Sequence, residues 1–404
     1  MSDRPYDLVI YGATGFTGRL VAEHLLTRAP DGFSWAMAGR SAEKLATVAH
    51  EIGAEGIPHV VADSTDPDSL AAMAQATKVV CTTVGPYARF GTPVVEACVK
   101  AGTDYTDLTG EVPWMRRMID ATQVPAQATG ARIVHTCGFD SIPSDLGVFF
   151  AQQEMMRRHG VYASQVRFRL KAARGGASGG TLASGMAMLA EAKEDPEVRN
   201  IMADPYALNP EGHRNGPDQN DAVAPKQDEA FGQWVGPFVM AAVNTRVVRR
   251  TNALLDYPWG HHFRYEEGML MGAGLAGAAK AGILGAGTAG GMAALSVDPL
   301  RRLAERAMPD AGTGPGPKAR ENGFFDIRLV AEHPEDPTKT LLIRVTGDMD
   351  PGYGSTSKML AEASITLAEG KADVGGGHWT PASAMGEPLL EGLQAHAGLT
   401  FEVL

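Results

Sequence analysis

The chain has 404 residues, 44% hydrophobic and 21% charged, with a formal net charge of −11. That is enough apolar chain for two or three globular domains, and the acidic balance weighs against nucleic acid as a partner, because nucleic-acid binding favours basic patches. Cys81, Cys98 and Cys137 are odd in number and far apart, which suits a reducing compartment and offers no metal-ligand spacing; with no signal-peptide pattern ahead of the first strand, the cytoplasm is the expected setting.

Leu8, Val9 and Ile10 read as a short buried strand, and Gly12-Ala13-Thr14-Gly15-Phe16-Thr17-Gly18 opens a helix that continues through Leu20, Val21, His24 and Leu25. Glycines at three-residue intervals between a strand and a helix form a dinucleotide grip. A Cβ at Gly12 or Gly15 would hold the backbone away from a pyrophosphate, a Cβ at Gly18 would push the helix off the strand, and the helix N-terminus faces the phosphates. About 20 residues further on, an NAD site usually carries Asp or Glu for the ribose diol. Here the strand Ser34 to Gly39 ends in Arg40-Ser41, with Lys44 one helical turn on. A guanidinium binds a 2′-phosphate bidentately where a carboxylate would repel it. The expected cofactor is therefore NADP(H); the plain alternative is that Arg40 only caps the sheet.

Ala42 to Gly53 reads as a helix, His59 to Asp63 as strand three, and Asp66-Pro67-Asp68 as a helix start with Asp66 as N-cap. Lys78 to Val84, Asp104 to Leu108 and Arg132 to Cys137 are strands four to six, with a helix over Thr92 to Gly102. Alternating elements with short connections imply a doubly wound parallel (Rossmann) sheet over residues 1–145. In such sheets ligands lie at the carboxyl ends of the strands. Asp63 could contact adenine or cap the next helix. Thr83, Val84, Gly85 and Pro86 are expected to contact the cofactor. Tyr87 could place its phenol by the nicotinamide or simply pack. Asp107 and Glu111 are candidate catalytic carboxylates, one of which could hold a proton, or could brace a loop. Asp140, Ser141 and Asp145 follow strand six, where a serine can cap the helix that Asp145 joins.

From about residue 165 the pattern changes. Gln165 to Lys171, Asn244 to Arg249, Phe325 to Val330 and Leu342 to Thr346 alternate polar and apolar, as antiparallel strands with one wet face do. Residues 146–350 are thus expected to form an α+β domain with an antiparallel sheet. Residues 351–404 would be a helix (Met359 to Leu367) and a short strand (Thr400 to Leu404) packing back on the core. Ala203 to Gly232 reads as a loop or lid and Ala311 to Glu321 as a second loop. Gly268 to Val297 holds a single charge, Lys280; it could be packed small-residue helices, an interfacial segment or a weak membrane span. His261-His262 sits among aromatics and reads as packing, and no metal site is expected.

These motifs, together with Thr82 to Tyr87, Ala101 to Glu111, Cys137 to Asp145, Gly179-Gly180-Thr181 and Asp350-Pro351-Gly352-Tyr353-Gly354, resemble the saccharopine-dehydrogenase-like NADP-binding family. The last two narrow the likeness to the branch of the trans-acting enoyl reductases of mycobacterial polyketide lipid synthesis. The resemblance implies NADPH-dependent reduction of a carbon–carbon double bond; Tyr87 or water is the candidate proton source, and Gly268 to Val297 with Met186, Met188, Leu189, Phe238 and Met240 would suit a long apolar acyl or isoprenoid-like chain or simply form core. Two other readings stay open. One is C–N oxidoreduction of an amino acid, with Arg167, Arg169, Lys171 and Arg174 available for carboxylates; the other is a non-catalytic NADP(H)-binding adaptor. Peripheral membrane contact and a homodimer are compatible with the sequence.

Overall fold

Strand and helix alternate through the first third of the chain, where most strands are short buried runs and His59–Val61, at the sheet's edge, is largely exposed. The computed structural model describes residues 4–404 except 176–178, 220, 222–223, 296–298 and 300–312. Strands β1 (Tyr6–Tyr11), β2 (Trp35–Gly39), β3 (His59–Val61), β4 (Thr77–Thr82), β5 (Asp104–Thr106) and β6 (Arg132–Val134) alternate with helices α1 (Phe16–Arg28), α2 (Ala42–Ile52), α3 (Pro67–Gln75), α4 (Tyr87–Phe90), α5 (Thr92–Ala101) and α6 (Val112–Thr129). Helix α7 (Ile142–His159) leads out of this unit.

The second unit holds β7 (Gln165–Arg174), α8 (Gly179–Glu194), α9 (Pro196–Ala203), β8 (Lys226–Asp228), β9 (Gln233–Gly236), α10 (Ala241–Leu254), β10 (Arg264–Gly272) and α11 (Gly274–Leu295). It continues through α12 (Pro317–Glu321), β11 (Phe324–Glu332) and β12 (Leu341–Gly347). The tail contributes α13 (Gly354–Ala368), β13 (Gly377–Trp379), α14 (Pro381–His396) and β14 (Leu399–Val403).

The first sheet has the order β13-β6-β5-β4-β1-β2-β3 and is parallel throughout. Its central strands are buried on both faces, as crossover helices require. The second sheet has the order β14-β12-β11-β7-β10-β9-β8. It is mixed rather than wholly antiparallel, because β7 and β10 run parallel. Helix α13 packs on α1 and on the first sheet. There the buried Glu362 accepts hydrogen bonds from Arg28 Nε (2.9 Å) and Nη2 (3.2 Å) and lies 3.1 Å from His24 Nε2.

Five expectations change. Asn244 to Arg249 is not a strand but the middle of α10, buried on every side from Val243 to Asn252. A helix covered all round shows no amphipathic period, and here its polar residues are paired rather than wet. Those partners also explain why Ala203 to Gly232 is no free lid. Arg246 donates to Asp204 O and Met202 O, Arg249 to Pro205 O, Arg250 to Leu208 O, and Arg116 on α6 to Ala207 O and Asn209 O. Nor is the Arg167 and Arg169 face solvated. Arg169 is 1% exposed and pairs with Asp228 (2.7 Å) and Glu266 (2.5 Å), and Arg167 pairs with Glu332 (2.8 Å). Gly268 to Val297 splits into the end of β10 and helix α11, with residues 296–297 outside the described set. Among the described residues no helix is long and apolar enough to cross a membrane. In the Ala311 to Glu321 segment, residues 311–312 lie outside the described set and Pro317–Glu321 forms α12.

Candidate active site

The glycine turn is built as its spacing demands. Gly12 has φ +95°, and a Cβ there would lie 2.8 Å from Thr83 Oγ1 and 2.8 Å from Val84 Cγ2. A Cβ on Gly18 would lie 2.2 Å from Gly12 O, so the helix could not approach the strand. Thr83 fixes the turn from the side: its N–H donates to Tyr11 O (3.0 Å) and its hydroxyl to Gly12 O (3.3 Å). The N-cap of α1 is Gly15, which supplies no side-chain cap. The first-turn N–H groups at Phe16, Thr17 and Gly18 therefore remain open to an anion. The neighbouring helices differ, with Ser41 capping α2 through Lys44 N–H and Asp66 capping α3.

At the far end of β2, Arg40 is exposed and makes no hydrogen bond or ion pair among the described residues. The Lys44 ammonium is likewise exposed and without an ion pair among them. Thr14 packs beside this turn: a Cβ on Gly39 would meet its Oγ1 at 3.6 Å. Asp63 accepts from Thr65 N–H (2.8 Å) and its hydroxyl (2.8 Å), contacts that hold its carboxyl below the ordinary value. It is thus folded into its own loop, and capping of the next helix falls to Asp66. Ser41 and Asp63 are committed locally, whereas Arg40 and Lys44 present free cations where a 2′-phosphate would lie.

On the other side of β1, Thr83 and Val84 lean on the glycine turn, Gly85 is exposed, and the Gly85–Pro86 peptide is cis. Tyr87 turns inward. Its ring packs against Trp114 at 5.4 Å, its hydroxyl donates to Thr82 O (3.1 Å), and burial pushes its phenol well above its ordinary value. Glu111 is buried beneath it and accepts from Tyr87 N–H (2.9 Å), Ala88 N–H (2.8 Å) and the Ser184 hydroxyl (2.6 Å). Asp107 is fully buried and accepts from the Tyr105 hydroxyl (2.9 Å), Thr109 N–H (3.1 Å) and Thr136 N–H (3.0 Å), and lies 2.7 Å from His135 Nδ1. The last of those amides belongs to a β-branched residue held at φ +63°, a backbone region that such residues rarely adopt.

Behind Asp107 the contacts continue from His135 Nε2 to His378 Nδ1 (3.3 Å) and from His378 Nε2 to Thr122 Oγ1 (2.7 Å). Burial, then the neighbouring His135, push His378 well below its ordinary value. Asp140 stands apart from these networks. It is half-buried after β6, and burial together with the Asp107 charge pushes its carboxyl up to about 7. Ser141 is the N-cap residue of α7 but donates to Asn244 instead of capping, and Asp145 accepts from Thr251 and from Ala382 N–H at the start of α14. The second unit closes over the glycine turn, with Phe16 edge-on to Tyr353 at 4.8 Å and beneath the Arg320 guanidinium at 5.5 Å.

The family model of the saccharopine dehydrogenase NADP-binding domain matches residues 8–134. A Mycobacterium tuberculosis protein provisionally named a trans-acting enoyl reductase is 41% identical over 99% of this chain and 97% of its own length. The trans-acting enoyl reductase of Mycobacterium ulcerans is 38% identical over 96% of both chains. Among solved structures, saccharopine dehydrogenase from Saccharomyces cerevisiae superposes with a TM-score of 0.54 over 98% of this chain and 99% of that one, at 14% identity, a likeness of fold alone.

The chain belongs to the saccharopine-dehydrogenase-like family, in the branch of the trans-acting enoyl reductases.

This enoyl reductase-like protein is an NADP(H)-dependent oxidoreductase, and the uncapped α1 terminus with the unpaired Arg40 and Lys44 fits that coenzyme. Sequence reasoning missed His135, His378 and the bracing role of Ser184. His135 lies inside the sixth-strand pattern, but His378 and Ser184 come from segments with no motif of their own. Asp140 stood in a recognised motif, yet nothing in the spacing separated it from Ser141 and Asp145. His261 and His262 are both exposed, and His261 lies over Tyr257 at 4.0 Å.

Proposed function

We propose that this protein reduces the activated carbon–carbon double bond of an apolar acyl or polyketide-derived substrate, presented on a separate carrier as the trans-acting relatives' name describes. Whole-length identity of 38–41% to enoyl reductases carries the reading. Bound NADPH would supply the hydride to the β-carbon. The chain's own residues would do the rest. Gly12, Gly15 and Gly18 admit the pyrophosphate, with Thr14, Phe16 and Thr17 around it. Arg40, helped by Lys44, holds the 2′-phosphate. Thr83, Val84, Gly85 and Pro86 form the floor under the nicotinamide. Glu111 and Tyr87 act as braces that keep this floor in place, and Asp107 fixes the ends of β5 and β6.

The C–N alternative needs free cations for substrate carboxylates. Arg167 and Arg169 are instead neutralised by Asp228, Glu266 and Glu332, which favours alkene reduction. The test is NADPH oxidation by purified protein against enoyl thioesters and, separately, against keto acid plus amino acid pairs. Turnover with the thioesters alone is expected; turnover confined to the amino acid pairs would overturn the reading.

A further inference from the structure

We propose that Asp140 is the acid that protonates the α-carbon of the reduced alkene, because its carboxyl stands at the C-terminal edge of the parallel sheet, partly open to solvent and without a partner from another of the described residues. This rests on the alkene-reduction reading above. Four carboxylates follow β5 and β6, and three are engaged, Asp145 among them through Thr251 and Ala382 N–H. Asp107 is held by three donors and the His135 ring, and Glu111 accepts from two backbone amides and a hydroxyl. An acceptor so engaged has no free face toward a substrate.

Asp140 differs in this respect. Its Oδ1 lies 4.0 Å from where a Cβ would stand on Gly110, and its Oδ2 lies 3.5 Å from the same point on Gly138. The Gly110 side meets the carboxyl at ordinary contact distance, while Thr356 Cγ2 at 3.1 Å and Leu108 Cβ at 3.3 Å crowd the Gly138 side. Val243 on α10 and Thr356 on α13 face the same corner and carry no charge. Asp107, from the β5 side, is the charged group that acts on it, and with burial it pushes the carboxyl up to about 7. One carboxylate that is fully hydrogen-bonded thus keeps a proton on another that is not. The corner adjoins Gly110 just past the end of β5, among the strand ends where a doubly wound sheet places its ligand.

The step balances. As hydride reaches the β-carbon, the π electron pair moves to the α-carbon and its carbonyl. The Asp140 O–H bond breaks as the Cα–H bond forms, leaving Asp140 as carboxylate and NADP+ as the oxidised product. Solvent then returns a proton to Asp140 through its exposed side.

The experiment compares wild type with Asp140→Asn and Asp140→Glu, using NADPH and a 2-enoyl pantetheine thioester in heavy water. Wild type should lose rate as pH rises through about 7 and place α-deuterium on one face. Asp140→Asn should be slower by about 10²-fold or more, the usual span for a general acid, with that pH limb gone and deuterium on both faces. Asp140→Glu should recover part of the rate and of the facial preference. Infrared titration of coenzyme-free protein gives a second reading: a protonated carboxyl band lost near pH 7, present in the wild-type minus Asp140→Asn difference, from which Asp145 and Glu267 cancel. If the asparagine variant is misfolded, the glutamate variant and the titration decide. An Asp140→Asn enzyme with unchanged rate, pH limb and facial selectivity would overturn the proposal, as would an Asp140 that titrates as an ordinary carboxyl. If wild type reduces no enoyl thioester while the infrared band still titrates near 7, the alkene reading has failed, and the donor role falls with it.

Discussion

Replacing Arg40 by alanine isolates the discrimination between coenzymes. The guanidinium is exposed and unpaired among the described residues, with Asp63 and Tyr11 as electrostatic neighbours, so its loss should leave the fold nearly untouched. Hydrogen bonds to a charged group contribute about 1.5–3 kcal/mol. At about 1.4 kcal/mol per decade of affinity, the Kd for NADPH should rise about 10- to 100-fold. The residual preference would come from Lys44. For NADH, which lacks the phosphate, the change should stay within about twofold, the usual scatter for a surface substitution. Calorimetric titration of both coenzymes, at low and high salt, gives the four constants needed. High salt should shrink the NADPH difference, because the site is open to screening. If both coenzymes weaken equally, or neither does, the 2′-phosphate does not lie against Arg40 and the coenzyme assignment of that turn is wrong.

Gly18→Ala forces a Cβ to within 2.2 Å of Gly12 O; thermal unfolding should shift down and NADPH binding should be lost, and a variant that binds normally would show that α1 can move. Tyr87→Phe removes a hydroxyl whose proton goes to Thr82 O; turnover should hold while urea unfolding shows a loss of about 1 kcal/mol, and a collapse of kcat with intact stability would return the phenol to the chemistry. Glu267 is half-buried, accepts from Ser144, Tyr265 and Asn244, and is pushed up by desolvation from 4.5 to about 7. The folded state therefore binds the extra proton between those values, so stability should fall as pH rises through that window and level off above it. Glu267→Gln should flatten part of that slope in urea titrations at pH 5 and 8; an unchanged slope would show that the carboxyl titrates normally.

The glycine turn, the basic end of β2, the Asp66 cap and the strands of the first unit were legible because each rests on local spacing. The second unit was less so. β12 alternates buried and half-buried residues and shows period two, but α10 is buried on all sides by a loop whose carbonyls its arginines bind, and polar residues paired in this way imitate a wet strand face. Tyr87 and Glu111 were recognisable as strand-end residues, yet which way their side chains point depends on Trp114 and Ser184, which no local pattern connects to them. Separating Asp140 from Asp107 required counting donors around each oxygen, a property of the folded state alone.

The tail visits both sheets: β13 extends the nucleotide-binding sheet beside β6, and β14 closes the other beside β12. The last thirty or so residues therefore stitch the two lobes like a thread through two cloths. A shortened protein would expose raw edges on both, and a hinge between the lobes would have to tear this seam. Motions that open the molecule to a ligand are then expected in surface loops rather than in the lobes swinging apart.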